Sequence, residues 1–156
     1  MSNAMHAPKG ISLAPYVALT LTYLTVFGSA LVAASRRGLP RRIPAADLVL
    51  LGIATHALTR IVTRDVVTAP FRAPFTEFEQ RSGAGEQSER ARGTGFRHAI
   101  GELVTCPYCA APWIASSLFV ALMLRPRATR LAASAFSVVA ISNFLNQAYS
   151  ATRKLA

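Results

Sequence analysis

Residues 10–35 read GISLAPYVALTLTYLTVFGSALVAAS, a run of 26 residues without a single Asp, Glu, Lys or Arg. A helix needs roughly 20 apolar residues to cross about 30 Å of hydrocarbon. The run is longer than the apolar region of a signal peptide, and its basic cluster follows it instead of preceding it. It therefore predicts a first transmembrane helix over about Ser12–Ala34.

Three further apolar segments follow in the chain. They begin near Ala45, at Cys106 or Pro107, and at Leu131, and the last two end at Leu124 and about Ala151. No strand-like alternation is legible, so no sheet is expected. The sequence predicts an all-α integral membrane bundle of four transmembrane helices. These form a single domain over 12–152, after a tail at 1–11 in which residues 2–4 read as an expression scar.

A segment of about 40 residues separates the second and third spans and holds six of the seven acidic residues. Its polar part, 68–97, is centred on RSGAGEQSERARGTG (81–95), whose Gly, Ser and charge predict a mobile loop. Before it, three phenylalanines and two prolines favour an extended or broken stretch at the headgroup level. After it, FRHAIGELVTC (96–106) predicts a short helix that leads into the third span.

The chain is strongly basic, with 17 Lys and Arg against 7 Asp and Glu. In a soluble protein this excess would suggest nucleic acid as a partner. Here the basic residues flank apolar spans, so anionic lipid headgroups explain them better. We therefore expect membrane lipids as partners and no nucleic acid, and we leave a protein partner or a homo-oligomer open.

Orientation in the membrane follows from the two short basic loops, RRGLPRR (36–42) and RPRATR (125–130). A count over all loops gives ten basic residues on the other side, but short, dense loops bias a helical hairpin more strongly than long ones. The sequence predicts a multi-pass protein of the bacterial cytoplasmic membrane. The short loops face the cytoplasm, and the long loop and both termini lie outside it.

A polar stripe lies along the second span, where His56, Arg60 and Arg64 recur at steps of four. Asp65 is the expected counter-ion, and Arg72 follows in the next segment. One interpretation is that the arginines lie near the helix end and extend to lipid phosphates. The other is that the stripe faces the bundle and meets a second set of polar residues. Asn143, Asn146, Gln147 and Ser150 form another polar face, for which interhelical hydrogen bonds are expected.

A second set of polar residues, His98, Glu102, Cys106 and Cys109, recurs at steps of four, four and three. Pro107 favours a new helix with Cys106 as its N-cap. The four side chains are admissible zinc ligands, but without a second C-x-x-C pair they define no site, and neither a metal nor a cofactor is predicted. We expect Glu102 to form an ion pair with one of the two span-two arginines, because an unpaired carboxylate near an apolar span is costly.

The two cysteines stand in C-P-Y-C, the tetrapeptide of glutaredoxins. A helix N-terminus stabilises the thiolate of its first cysteine. Glutaredoxin chemistry, however, uses a thioredoxin-like scaffold, which nothing in this sequence predicts. We expect a reversible disulfide between Cys106 and Cys109 without turnover, and keep a catalytic dithiol as the alternative.

Two stretches, HALTRIVTRDVVTAPFRAPF (56–75) and HAIGELVTCPYCAAPW (98–113), resemble a bacterial membrane family known as domain of unknown function 1360. The resemblance covers roughly 48–150, so the first span is an addition ahead of the shared core. It implies no activity, because none is assigned to that family.

The sequence favours a non-enzymatic scaffold or accessory protein that binds a lipid headgroup or a protein partner through polar residues at the membrane interface. The alternatives are a membrane thiol-disulfide oxidoreductase using Cys106 and Cys109, or a lipid-modifying enzyme using His98 and Glu102. No Rossmann glycine pattern, P-loop, nucleophile elbow or H-E-x-x-H motif is present.

Overall fold

The long apolar segments fold as helices in a computed structural model, which describes residues 12–36, 38, 42–83 and 85–155. The elements in chain order are α1 (Ala14–Ser35), α2 (Ala45–Arg64), a 3₁₀ turn (Val66–Thr68), α3 (Ala69–Arg72), β1 (Thr76–Gly83), β2 (Glu86–Ala91), α4 (Gly95–Thr105), α5 (Pro107–Leu124) and α6 (Pro126–Leu155).

Four helices, α1, α2, α5 and α6, are long and apolar enough to cross a membrane. This confirms the predicted all-α class with four candidate spans. The fourth helix begins five residues before the expected start at Leu131, at Pro126. The tail at 1–11, with its suspected scar, lies outside the described residues.

Small side chains form the centre of the bundle, where α2 packs against α5 and α6. Ala54 and Ala133 are completely buried, and Leu51 and Leu122 complete the cluster. Small residues let helix backbones approach closely, which is how helices associate where lipid removes the hydrophobic driving force. The predominance of alanine therefore suits a bundle that packs inside a membrane.

Helix α1 packs mainly on α5 and α4, on one side of this core. Its attachment is aromatic: Tyr23, Phe27 and Trp113 have ring centroids 4.9 to 5.9 Å apart. The Tyr23 hydroxyl also forms a hydrogen bond of 2.8 Å with the hydroxyl of Ser116. Edge-on aromatic contacts of this kind stabilise the packing beyond the area they bury.

The prediction of no sheet is wrong, and the stretch 81–95, predicted as a loop, contains the end of one strand and the whole of another. Between α2 and α5 the chain forms the 3₁₀ turn, α3, an antiparallel hairpin of β1 and β2, and α4. The hairpin pairs Thr76 with Ala91 and Gly83 with Glu86, with two register irregularities. Gly85 has a φ of +78° in the connection, a conformation that glycine adopts without strain. Paired backbone and the anchoring contacts described below order this polar segment.

The hairpin is fixed to the bundle by α4, the short helix predicted at 96–106. Gly101 of α4 lies so close to the hairpin that a Cβ there would be 2.5 Å from the Phe75 carbonyl oxygen and 2.9 Å from the Ala91 Cβ. The close approach requires glycine. Helix α4 ends at Thr105, and Cys106 then begins α5 as its N-cap, as the sequence predicted.

The bundle has two chemically different ends. The hairpin, α4 and the N-terminus of α5 lie at one end. At the other, Arg130 of the basic stretch at 125–130 donates two hydrogen bonds of 2.8 and 2.7 Å to the carboxylate of Asp47. This bidentate pair ties the start of α6 to the start of α2.

Candidate functional site

Arg72 anchors the hairpin to the end of α2. Its guanidinium donates five hydrogen bonds, and the side chain is only 3% exposed. The acceptors are the Val62 and Asp65 carbonyl oxygens, the Thr68 hydroxyl and both carboxylate oxygens of Glu89, at 2.6 to 3.1 Å. An arginine has five N–H donors, so every one is used. Arg72 therefore bonds the carbonyl oxygens at the end of α2 and, at the same time, the Glu89 carboxylate of β2.

Glu89 completes this buried network. Besides Arg72, its carboxylate accepts hydrogen bonds from the Thr76 hydroxyl at 2.6 Å and the Gln87 amide at 2.5 Å. Burial by itself disfavours the charged form. The hydrogen bonds from Arg72, Thr76 and Gln87 outweigh burial and hold the pKa of Glu89 below its ordinary value. The saturated partners of Arg72 and Glu89 indicate a structural role.

Arg60 forms a second charged cluster at the tip of the hairpin. Its Nε lies 2.5 Å from Glu86 Oε1, and its Nη2 lies 3.5 Å from Asp65 Oδ1. One turn earlier, the exposed His56 ring stacks on Phe144 of α6, with ring centroids 5.6 Å apart. The predicted polar stripe thus meets the hairpin and α6. Arg64 forms no ion pair with the rest of the described chain.

Together, α2, the hairpin tip and α6 enclose a polar cleft of about 540 Å³. A smaller recess of about 180 Å³ at His56 shares three lining residues with it. The cleft is lined by Arg60, Ser82, Gly83, Glu86, Asn143, Asn146, Gln147, Ser150 and Ala151. We refer to the larger of these two cavities, of about 540 Å³, as the polar cleft.

The α6 wall of the polar cleft holds three side-chain amides, those of Asn143, Asn146 and Gln147. Within the described part of the chain, none of them forms a hydrogen bond with another side chain or with the backbone. The Ser150 hydroxyl donates to the Asn146 carbonyl oxygen of its own helix. The interhelical hydrogen bonds expected for this face are therefore not formed, and the amides face the cleft with their hydrogen-bonding capacity unused.

The expected ion pair between Glu102 and Arg60 or Arg64 is not formed in the described structure. Glu102 instead accepts a hydrogen bond of 2.6 Å from the Tyr16 hydroxyl and lies 3.3 Å from His98 Nε2. The physical reason is the hairpin, whose Glu86 takes the place beside Arg60. His98 Nδ1 is buried and has no hydrogen-bond partner among the described groups.

The thiols of Cys106 and Cys109 lie beside this trio, at the first turn of α5. Both cysteines are free, their Sγ atoms are 2.6 Å apart, and the Cys109 backbone N–H donates to Cys106 Sγ. Cys109 and Glu102 line a groove of about 270 Å³ between α1, α4 and α5. Its other lining residues are Tyr16, Leu19, Thr20, Tyr23, Ala99, Leu103, Pro112 and Trp113. We call this the thiol groove.

The structure thus divides the predicted site residues into three groups. Arg60 lines the polar cleft, with His56 in the adjoining recess and Asp65 beside Arg60. Arg72 lies in the buried network, and His98, Glu102 and the two cysteines lie at the thiol groove. Arg64 joins none of these groups in the described structure. No group of three or more His, Cys, Asp or Glu side chains in the described ranges has a metal-binding arrangement. The sequence did not predict three partners that lie far away in the chain: Tyr16 for Glu102, Glu86 for Arg60, and Glu89 for Arg72.

A bundle of four candidate membrane spans, with a hairpin fixed to one end and two polar sites beside it, defines a multi-pass helical membrane protein. The family model "Protein of unknown function (DUF1360)" matches residues 50–149. The chain belongs to this family, which confirms the resemblance seen in the sequence.

One relative is the sporulation protein YjcA of Bacillus subtilis (strain 168), which is 34% identical over 86 residues. The alignment covers 53% of this chain and 73% of the relative. No solved structure matches the chain significantly.

Proposed function

We propose that this protein is an accessory protein of the membrane whose polar cleft is a non-catalytic binding site for the hydroxyl-bearing headgroup of a lipid, a glycerol or a sugar. The observation that carries the proposal is the set of three amides, Asn143, Asn146 and Gln147, that face the cleft and have no hydrogen-bond partner among the described residues. Amides on a membrane-spanning helix are costly unless they find hydrogen-bond partners. A headgroup with several hydroxyls supplies both donors and acceptors.

The charges of the polar cleft favour hydrogen bonding over net charge as the basis of recognition. Arg60 faces two carboxylates, Glu86 and Asp65, so the cation is already compensated. An anionic phosphate gains little there. Anionic lipids instead suit the opposite end of the bundle, where Arg36, Arg42 and the basic stretch at 125–130 flank the spans.

A binding role fits the rest of the molecule better than catalysis at the cleft. Arg72 and Glu89 are saturated by structural partners, and Arg60 is paired, so none of them is available as an acid, base or electrophile. The Bacillus subtilis relative is named for sporulation. From that name we infer for this chain only an accessory role in a membrane process.

The test compares three lipids in nanodiscs by native mass spectrometry: phosphatidylglycerol, phosphatidylmethanol and monoglucosyl diacylglycerol. The first two carry the same charge but only the first has free hydroxyls, and the third has hydroxyls without charge. We expect retention of phosphatidylglycerol and the glucolipid over phosphatidylmethanol. Gln147→Leu combined with Asn143→Leu abolishes this preference, and Ser142→Leu, on an exposed part of α6 outside the cleft lining, preserves it. Equal retention of the two anionic lipids contradicts the proposal.

A further inference from the structure

The thiol groove carries an inference that does not depend on the polar cleft. Its walls are mostly apolar and aromatic, yet its rim holds a thiol, a carboxylate and a phenol: Cys109, Glu102 and Tyr16. A groove that bound only an acyl chain would have no use for these three groups. Their combination points to a ligand that is flat and apolar, accepts hydrogen bonds and reacts with thiols.

We propose that the thiol groove binds the ring of a membrane quinone and that the Cys106–Cys109 dithiol reduces it. At about 270 Å³ the groove is near the lower end of the range of small-molecule sites, which suits one substituted ring. Tyr23 and Trp113 form an aromatic wall for that ring, and their own rings are 5.2 Å apart. Two of the three helices around the groove, α1 and α5, are long and apolar enough to span the bilayer, so a quinone tail leaves it into lipid.

The positions of the two sulfur atoms assign their order of action. Cys109 lines the groove, and Cys106 lies 2.6 Å behind it at the helix N-terminus. Cys109 Sγ bonds to a ring carbon of the quinone, and its proton ends on one quinone oxygen. Cys106 Sγ then attacks Cys109 Sγ, so that the S–S bond forms as the C–S bond breaks.

The electron pair of the broken C–S bond stays on the ring, and the Cys106 proton ends on the second quinone oxygen. Two thiols and one quinone thus become one disulfide and one quinol, with two electrons and two protons transferred. The Tyr16 hydroxyl, the Glu102 carboxylate and His98 form a chain of close contacts at the same rim, 2.6 and 3.3 Å long. Groups so arranged pass protons between the groove and the polar end of the bundle.

Binding is tested first, with the chain's only tryptophan, Trp113, as the reporter. The protein carries Cys106→Ser and Cys109→Ser, so that no reaction occurs, and decylubiquinone is titrated in detergent. We expect saturable quenching of the fluorescence. Thr20→Phe, which fills the groove, should raise the half-saturating concentration by about tenfold or more, equivalent to about 1.4 kcal/mol.

Thr22→Phe is the matched control for the groove-filling change. Thr22 and Thr20 are both exposed on α1, and each donates a hydrogen bond to the carbonyl oxygen four residues earlier. Only Thr20 lines the groove. Quenching that is non-saturable, or equally affected by the two substitutions, overturns the assignment of the groove.

The reaction is tested next under anaerobic conditions, with the cysteines intact and reduced beforehand by dithiothreitol, which is removed before the quinone is added. We expect one quinol for every two protein thiols lost in the first turnover, and no quinol with Cys109→Ser. Thr20→Phe should slow quinol formation by about tenfold or more but leave oxidation by diamide, a small soluble oxidant, unchanged. If decylubiquinone binds saturably and the thiols stay reduced while diamide oxidises them, the redox proposal is wrong.

Discussion

The buried pair of Arg72 and Glu89 gives the sharpest prediction about stability. Glu89→Gln removes the negative charge and leaves the guanidinium buried, with its remaining bonds to neutral acceptors. It weakens the two hydrogen bonds between the partners, of 2.8 and 3.1 Å. Hydrogen bonds to charged groups contribute about 1.5–3 kcal/mol each, and breaking a buried pair costs about 3–5 kcal/mol. We expect the hairpin to lose about 3–5 kcal/mol of local stability.

Hydrogen exchange of the backbone amides in 76–91 is the appropriate assay, because the α-helical bundle can stay folded while the hairpin opens. A loss of about 3–5 kcal/mol corresponds to exchange that is faster by roughly two to three and a half orders of magnitude. Glu77→Gln is the matched control. Its partner Arg90 is 66% exposed, so its loss should cost at most about 1 kcal/mol.

The double variant Arg72→Met with Glu89→Leu separates the ion pair from other effects of substitution. It removes both charges together and leaves neither uncompensated. It should therefore destabilise the hairpin by less than the sum of Arg72→Met and Glu89→Leu made separately. Exchange in Glu89→Gln no faster than in Glu77→Gln would refute the reasoning, as would additive effects in the double variant.

The same pair predicts the pH dependence of the hairpin. The pKa of Glu89 is lowered in the folded state from its ordinary value of 4.5. A group whose pKa is lower in the folded state contributes stability that is fully present above its unfolded pKa. That stability is lost as the pH falls through its folded pKa. Hairpin protection, corrected for intrinsic exchange, should therefore be constant from neutral pH down to about 5 and decrease below about 4.5. Glu89→Gln should lack this decrease.

Two further predictions concern packing and orientation. Gly101→Ala should destabilise the contact of α4 with the hairpin by about 1–3 kcal/mol, because the new Cβ meets a carbonyl oxygen at 2.5 Å. Gly52→Ala, with nothing within 4 Å, should not reduce the detergent melting temperature, and equal effects of the two changes would contradict the argument. In a variant without native cysteines, an impermeant maleimide added to intact cells should label a cysteine at Ser82 and not one at Ser35. The reverse pattern would invert the predicted topology.

The membrane spans could be predicted because their signal is local. Absence of charge over a sufficient length requires no knowledge of partners, and α2 and α5 begin where Ala45 and Pro107 indicated. The start of α6 was misplaced because hydropathy marks the part of a helix that enters lipid, not the first helical residue. Pro126 suits the first turn of a helix, and the charged residues after it are compatible with one.

The hairpin was missed because its stability is not local. The β2 sequence, EQSERA, has weak strand propensity and no alternation. Its order comes from the buried pair of Glu89 with Arg72 and from packing on α4, which no window of sequence contains. One signal was legible, since GAG at 83–85 is a turn sequence between two polar stretches. Because the hairpin was not predicted, its Glu86 was not considered as the partner of Arg60, and Glu102 was assigned to that arginine or to Arg64 instead.

The family match distinguishes the two sites. Residues 50–149 include most of α2, the whole hairpin and most of α6, so the shared core contains the polar cleft except for Ser150 and Ala151 at its edge. The thiol groove is different. The cysteines and Glu102 lie in the core, but its outer wall and the Tyr16 hydroxyl belong to α1, outside the match. A cleft built within the core suits a role common to the family. A groove closed by an added helix suits a ligand that this chain holds through α1, which is why the Thr20→Phe substitution in α1 tests the quinone proposal while leaving the polar cleft intact.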